Sequence, residues 1–190
     1  MTLNPTAEAL LDAAQELVQD RGFNAFSYKD LAASVGIRTA SIHYHFPAKA
    51  DLGKGLIERY LVALRQSLGQ IDSKNTNFAA RLRAFIALYR KTENQGAICL
   101  CGSMASDWNT LDPAVQQLVG EYLNESESWV AQQIRAGMRS GEFSFSGKPK
   151  EAAASLIASL QGGLMLARAQ GGPSVLSRVQ SVFLTTLTGQ

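Results

Sequence analysis

Apolar side chains recur along this chain at intervals of three and four residues, the spacing that places them on one face of an α-helix. In the first segment five apolar residues share such a face: Leu10, Leu11, Ala14, Leu17 and Val18. Asn4 is suited to cap the start of this helix, Pro5 to occupy its first position and Gly22 to end it. The pattern therefore predicts a first helix over residues 5–21.

The same spacing, together with glycine and proline stops, predicts helices along the rest of the chain. Further helices are predicted over 27–36, 39–46, after the break at Pro47 through Leu68, 78–94, 112–140, 150–169 and 174–188. Residues 69–77 are polar and are interpreted as a connector, and Gly171-Gly172-Pro173 separates the last two helices. No stretch alternates convincingly over the length of a strand. The predicted fold class is all-α, with about nine helices.

Composition narrows the class of protein without choosing a function. The chain has 190 residues, of which 46% are hydrophobic, and a net charge of +2 that argues neither for nor against nucleic acid. No apolar run approaches the ~20 residues of a membrane helix, and the N-terminus lacks the features of a secretory signal. We therefore expect a cytoplasmic protein with no membrane partner. Cys99 and Cys101, one residue apart, predict reduced thiols rather than a disulfide framework.

Residues 26–52 read FSYKDLAASVGIRTASIHYHFPAKADL and contain a candidate helix-turn-helix. Gly36 accepts the left-handed backbone that a sharp turn between two helices requires. The second helix carries compact polar side chains, which suit base edges in the major groove, and Arg38 and Lys49 flank it at positions suited to phosphate. Similar geometry also occurs in proteins that do not bind DNA, so spacing alone leaves the function open.

The same segment resembles the TetR family of transcriptional regulators. The family pattern is roughly G-V-S-x-G-T-L-Y-x-H-F-x-x-K-x-x-L, and this chain has G-I-R-T-A-S-I-H-Y-H-F-P-A-K-A-D-L. Five residues match at the family spacing: Gly36, His45, Phe46, Lys49 and Leu52. The resemblance covers residues 5–60 strongly and the rest weakly. It implies a DNA-binding domain at residues 1–47 and a ligand-binding and dimerisation domain at residues 48–190.

The resemblance also implies DNA-binding roles for individual residues on an operator in double-stranded DNA. Ser27 and Tyr28 would contact phosphate from the start of the supporting helix. Three residues would face base edges: Thr39, Ala40 and Ser41. Three would hold the DNA backbone: Tyr44, His45 and Lys49.

Two of the departures from the family pattern bear on the operator sequence. His43 stands where the family usually has tyrosine. Arg38 stands where a capping serine is common, so Thr39 is expected to cap the helix instead. Both departures leave the operator sequence open, and either residue is a candidate specificity contact.

Residues 78–190 contain no catalytic constellation, since both histidines lie in the DNA-binding segment and no metal-ligand spacing or phosphate loop is present. We expect no enzyme activity, no cofactor and no metal. The resemblance implies a pocket for a small-molecule effector in this half. Its candidate lining is mainly aromatic and sulfur-containing, although each residue alone is better explained as core: Phe85, Tyr89, Cys99, Cys101, Met104, Trp108, Tyr122 and Trp129.

The cysteine pair suggests an alternative kind of effector. If residues 98–104 begin a helix, Cys101 near its N-terminus would react more readily as a thiolate, and a thiol-reactive effector would follow. The plainer interpretation is that both cysteines are small buried hydrophobic residues. A helical thiol enzyme and a protein–protein adaptor remain competing functions, but neither accounts for residues 27–49.

The last two predicted helices carry apolar stripes that suggest a homodimer interface. The stripes are Ala153, Leu156, Ile157, Leu160, Leu164 and Met165, and Val175, Leu176, Val179, Val182, Phe183 and Leu187. Two such stripes exceed what one helix pair buries, although the core of a monomer is the alternative. A two-fold dimer would place its recognition helices about 34–36 Å apart, or a multiple of this, and would read a palindromic operator. We expect a repressor that a small-molecule effector releases from the operator, and activation remains open.

Overall fold

The structure, a computed structural model, describes residues 4–171 and 175–189. Over these residues the chain forms nine α-helices and one short 3-10 helix, and no strand, which confirms the predicted all-α class. The helices are α1 (Pro5–Arg21), α2 (Tyr28–Val35), α3 (Thr39–His45), α4 (Lys49–Lys74), α5 (Phe78–Asn94), α6 (Leu100–Ser106), the 3-10 helix (Trp108–Thr110), α7 (Pro113–Ser140), α8 (Pro149–Gln170) and α9 (Val175–Thr188).

Most helix ends follow the local signals. Asn4 caps α1, since its side-chain oxygen accepts a hydrogen bond from the Thr6 amide at 2.9 Å, and Pro5 is the first helical residue. The predicted connector over 69–77 is wrong for its first six residues, because α4 continues to Lys74. Leu68 and Ile71 are buried there and continue the apolar face of the helix, which outweighs the helix-breaking tendency of Gly69. The predicted break at Gly172-Pro173 and the predicted start at Ser174 lie outside the described residues.

The chain divides into two compact units, which are described separately. The first contains residues up to Val62 together with Leu100–Tyr122, and the second contains Ala63–Cys99 and the chain from Leu123 onward. The first unit therefore includes α6 and the start of α7, which lie far along the chain from the helix-turn-helix. The functional division after residue 47 stays a prediction.

The core of the first unit holds α1 against α2 and α6, and α2 against α3. Its centre consists of fully buried aliphatic side chains: Leu10, Leu11, Leu31, Ile42, Leu52 and Leu56. One buried polar contact joins α6 to the end of α1, where the Ser103 hydroxyl donates a hydrogen bond to the Val18 carbonyl at 2.8 Å. This bond satisfies both polar groups where water does not reach.

The second unit packs α5, α8 and α9 together, and distant carboxylates cap two of these helices. The Glu142 carboxylate accepts hydrogen bonds from the Phe78 and Ala79 amides at 2.9 and 2.6 Å, at the start of α5. The Glu93 carboxylate accepts one from the Leu176 amide at 3.1 Å, at the start of α9. A negative charge at a helix N-terminus is favourable because the exposed amides there are positively polarised.

Among the described helices, α8 alone is long and apolar enough to cross a membrane by length and composition. It packs against both α5 and α9, and its residues Leu156, Leu160 and Leu164 are buried. One such helix is weak evidence of a membrane span, and 39% of its apolar stretch is buried inside the protein.

Gly137 in α7 is required by a close aromatic contact. A Cβ atom at this position would lie 2.3 Å from Cδ2 of Phe143, whose side chain is buried. At Gly120, in the same helix, a Cβ atom would meet nothing within 4 Å. Neither glycine has a positive φ. An alanine at position 137 therefore tests the close packing, whereas an alanine at position 120 tests helix propensity alone.

We expect Gly137→Ala to lower the free energy of unfolding by about 1–3 kcal/mol, because the Phe143 ring must move out of its site. Gly120→Ala should raise it by up to about 1 kcal/mol, since alanine favours a helix and nothing obstructs the methyl group. Urea unfolding of both variants at one fixed protein concentration measures the difference. Equal stabilisation by the two substitutions would contradict the close contact at Phe143.

Candidate nucleic-acid interface

The supporting helix α2 begins at a capping box made by Ser27 and Asp30. The Asp30 carboxylate accepts hydrogen bonds from the Ser27 hydroxyl at 2.6 Å and the Ser27 amide at 2.8 Å, while the Asp30 amide donates to the Ser27 hydroxyl oxygen. The bonds from Ser27 hold the pKa of the Asp30 carboxyl below its ordinary value. The start of α2 is thereby locally fixed, as the sequence predicts.

The turn between α2 and α3 depends on Gly36, whose backbone is left-handed at φ 74°. A side chain here would be strained. Arg38 follows with extended backbone and is the N-cap of α3, without a side-chain hydrogen bond. The expectation that Thr39 caps α3 is therefore wrong, because Thr39 already lies inside the helix as its first residue.

One face of α3 is open and the opposite face is anchored. Ile42 is fully buried, whereas the Tyr44 side chain is 82% exposed. Three further residues predicted to bind DNA are exposed: Ala40, Ser41 and His43. Thr39 and His45 are half-buried on the flanks, and the rings of Tyr44 and His45 meet edge to face at 5.0 Å. The helix thus presents a stripe of short and polar groups with one aromatic ring.

Tyr28 ties α2 to the segment that follows α3. Its hydroxyl lies 2.9 Å from the Phe46 carbonyl and 2.8 Å from the Ala48 carbonyl, and its single proton can be donated to either. Burial, and secondly the negative charge of Asp51, raise the pKa of Tyr28 to about 12. The hydroxyl therefore remains a donor at neutral pH. Its predicted contact with DNA phosphate stays a prediction.

Lys49 lies at the start of α4, beneath the connection between α1 and α2. Its ammonium group donates a hydrogen bond to the Phe26 carbonyl and lies 4.4 Å from the ring centroid of Phe26 and 5.0 Å from that of Phe23. Burial lowers the pKa of Lys49, while the charges of Asp107 and Asp30 oppose this effect. Two of its three N–H groups are not used by Phe26, so a contact with the DNA backbone stays a prediction.

Two features of this unit were missed by the sequence analysis. Gly53 and Gly55, in the first turns of α4, allow close packing, since a Cβ atom would lie 3.0 Å from the Phe23 ring and 3.3 Å from the Phe46 ring, respectively. Two glycines two positions apart inside a predicted helix could have indicated this close packing. The second feature joins residues more than 80 positions apart: Asn24 donates from its amide to Asp107 and from its side chain to Thr110, at 3.2 and 2.6 Å. Nothing local in the sequence indicates that contact.

The predicted ligand-binding residues are divided between the two units. In the second unit, Phe85, Tyr89 and Trp129 form an aromatic cluster with ring centroids 5.4 Å (Phe85–Trp129) and 5.6 Å (Phe85–Tyr89) apart. In the first unit, Met104 and Tyr122 are buried, and Tyr122 stacks at 4.9 Å on Tyr60, which the sequence analysis did not select. Trp108 is 42% exposed.

Neither cysteine forms a disulfide, and both side chains are buried. Cys99 immediately precedes α6 in the chain, and Cys101 lies in the first turn of that helix. The helix on which the reactive-thiol alternative depended does begin at Leu100, but the Cys101 thiol is buried. In the part of the chain that the structure describes, no group of three or more histidine, cysteine or acidic side chains is arranged to hold a metal ion.

The apolar stripes of α8 and α9 serve mainly the core of a single chain. Eight of the twelve predicted interface residues are buried within it: Ala153, Leu156, Ile157, Leu160, Leu164, Val175, Leu176 and Leu187. Of the other four, the side chains of Met165 and Val182 are 59% and 68% exposed. Leu166, next to Met165 in the chain, is 52% exposed. A groove of about 610 Å³ runs along these two helices, with Val179, Val182 and Phe183 in its wall.

Comparison with known proteins agrees with this geometry. Residues 10–54 match the model of the bacterial regulatory proteins of the tetR family, and residues 79–183 match that of the tetracyclin repressor-like C-terminal domain. The HTH-type transcriptional repressor NemR of Escherichia coli strain K12 is 24% identical over 164 residues, which cover 83% of this chain and 81% of NemR.

Two solved structures share the fold over nearly the whole chain. A TetR family regulator from Agrobacterium tumefaciens has a TM-score of 0.92 at 28% identity, covering 97% of this chain and all of that one. A TetR regulator from Legionella pneumophila has a TM-score of 0.87 at 30% identity, covering 98% of this chain and all of that one. With both of its halves matched, the chain belongs to the TetR family of DNA-binding bacterial transcription regulators.

Proposed function

We propose that this protein is a dimeric repressor that binds a palindromic operator through α2 and α3 and leaves it when a small-molecule effector binds. The observation that carries the proposal is the exposed stripe on α3, which is held in place by buried Ile42 behind it and by Tyr28 at its end. Members of the family are dimeric regulators that bind DNA and small molecules. Repression is favoured because NemR carries that function in its name. The site of action is the cytoplasm, where the DNA lies.

The exposed residues of α3 and the residues around it suit two kinds of contact with DNA, to base edges and to phosphates. Ala40 and Ser41 are short enough for the helix to approach base edges, with Thr39 beside them. Phosphate contacts are assigned to side chains around the helix: Ser27, Arg38, Tyr44, His45 and Lys49. Tyr28 would contact phosphate only if its hydroxyl proton left the carbonyls of Phe46 and Ala48. Residues 1–64 carry six basic and seven acidic side chains, so affinity depends on the placement of these contacts rather than on net charge.

A second copy of this chain is the proposed occupant of the groove on α8 and α9. Its wall is mainly apolar, with Arg178 and three hydroxyl side chains in the lining, and Val182 within it is 68% exposed. Met165 and Leu166 are also exposed on α8. A two-fold axis through these helices would bury the same side chains twice and present two copies of α3 to the two halves of a palindrome.

The effector is proposed to be a small molecule with substantial apolar surface. The aromatic cluster of Phe85, Tyr89 and Trp129 supports this class. Release requires that the effector bind more tightly to a state in which the two copies of α3 no longer fit the operator. The alternative of a thiol-reactive effector receives less support, since both thiols are buried.

The first test is selection of genomic fragments by purified protein at near-physiological salt, with Tyr44→Ala alongside. We expect the native protein to enrich a palindrome and the variant to bind it at least about tenfold more weakly, because an exposed ring is lost from α3. Thermal melting should be unchanged, since Tyr44 is 82% exposed. A folded dimer that enriches no fragment, with or without added metabolite pools, would turn attention to the thiol-enzyme and adaptor functions.

Lys49→Met separates the two roles of this lysine. Loss of the hydrogen bond to Phe26 should lower the free energy of unfolding by about 1–3 kcal/mol. If the ammonium also meets a phosphate, the slope of log affinity against log salt should fall by about one unit per half-site. Lys91→Met, at an exposed position of α5, is the control and should change neither quantity. An unchanged salt slope would remove Lys49 from the DNA contacts and leave it a structural role.

Val182→Glu tests the dimer. Two charges would enter the apolar groove together, so we expect the dissociation constant measured by sedimentation equilibrium to rise about 100-fold or more, with operator binding lost in parallel. Val62→Glu, at another exposed valine, is the matched control and should leave the dimer intact. A stable Val182→Glu dimer would move the interface away from α8 and α9.

Alkylation tests the thiol alternative. Because Cys99 and Cys101 are 2% and 0% exposed, we expect a maleimide to label the urea-unfolded chain fully and the native protein very slowly. Mass spectrometry after timed exposure gives both rates. Rapid labelling of Cys101 in the native protein would instead support an effector that reacts with the thiol.

A further inference from the structure

The imidazole of His43 is held by contacts on two sides. Its Nδ1 atom lies 3.2 Å from the carbonyl oxygen of Pro47, just beyond the end of α3. The ring of Tyr28 meets it edge to face, with centroids 4.9 Å apart at an interplanar angle of 64°. Tyr28 is in turn held by the carbonyls of Phe46 and Ala48. The orientation of the His43 ring is therefore set by α2 and by the segment after α3.

The contact with Pro47 determines which ring nitrogen carries the proton. A carbonyl oxygen only accepts hydrogen bonds, so Nδ1 must be the donor. In the neutral ring Nε2 then has no proton and is only an acceptor. Nε2 lies on the far side of the ring from Nδ1, and the side chain is exposed. His43 thus presents a single acceptor atom.

This acceptor restricts what His43 can recognise on DNA. Phosphate oxygens are acceptors and offer no proton to Nε2. In the major groove, the hydrogen-bond donors on base edges are the N6 amine of adenine and the N4 amine of cytosine. His43 follows Thr39 by four residues and therefore lies on the same side of α3, one turn further along.

We propose that His43 is a specificity-determining residue that accepts a hydrogen bond at Nε2 from the exocyclic amine of an adenine or cytosine in each operator half-site. The inference rests on the proposed operator binding. It assigns His43 to direct base reading rather than to phosphate, and it makes Tyr28 and Pro47 positioning residues that hold the acceptor in one orientation.

The test is selection from a randomised duplex library at pH 8 by native protein, His43→Ala and His43→Phe. His43→Phe retains a ring against Tyr28 but has no acceptor, so it guards against loss of folding in the alanine variant. We expect the native protein to prefer adenine or cytosine at one position of each half-site. Both variants should lose about tenfold discrimination at that position and none elsewhere.

Removal of the amine from the DNA gives an independent readout. Purine in place of the preferred adenine, or 2-pyrimidinone in place of cytosine, should weaken native binding about tenfold and leave His43→Ala binding unchanged. Uniform weakening of His43→Ala on all sequences, with a smaller salt slope, would assign His43 to phosphate and overturn the inference.

The outcomes also separate this inference from the operator proposal. A palindrome that the native protein binds and Tyr44→Ala does not, with identical base preferences for native protein and His43→Ala, would overturn the role of His43 alone. Failure of the native protein to select any sequence would overturn both.

Discussion

The geometry of the recognition helix depends on the segment that follows it. Helix α3 has seven residues and no side-chain cap, and a helix this short is unstable by itself in water. Its position comes from tertiary contacts: Ile42 buries its inner face, and the Tyr28 hydroxyl is bonded to the carbonyls of Phe46 and Ala48 at its end. The ammonium of Lys49 then joins the same segment to Phe26. The exposed face of so short a helix can be rigid because the contacts that hold the helix come from residues outside it.

The same principle recurs at other helix ends, where the groups that satisfy the backbone come from distant parts of the chain. Glu142 caps α5, Glu93 caps α9, and Ser103 donates to the last turn of α1. Each contact joins a helix end to a residue at least 60 positions away within one compact unit. Such bonds satisfy exposed backbone groups and also fix how helices pack, because each works in only one arrangement of its partners.

Some of the residues that the resemblance names as DNA contacts also make contacts that stabilise the fold of this chain. Tyr28 and Lys49 are half-buried and bonded to carbonyls, whereas Tyr44, Ala40 and Ser41 are open and touch little. Substitutions of Tyr28 and Lys49 therefore remove contacts that hold the fold, whereas substitutions of the three exposed residues remove few such contacts. Ser27 belongs between these groups, since its hydroxyl is exposed but bonded to Asp30.

Local sequence determined the described helices other than α6 and the 3-10 helix, the capping box at Ser27 and the turn at Gly36, because apolar spacing, caps and left-handed glycines act within a few residues. It also carried the family pattern around α3. It misjudged the end of α4, where burial of Ile71 overrides a glycine, and it overestimated the free apolar surface of α8 and α9, which mostly meets its own chain. Only the tertiary structure decided that Nδ1 of His43 lies against the Pro47 carbonyl, what holds Lys49, and which distant carboxylates cap which helices. These depend on contacts between residues far apart in the chain, and periodicity along the sequence contains no information about them.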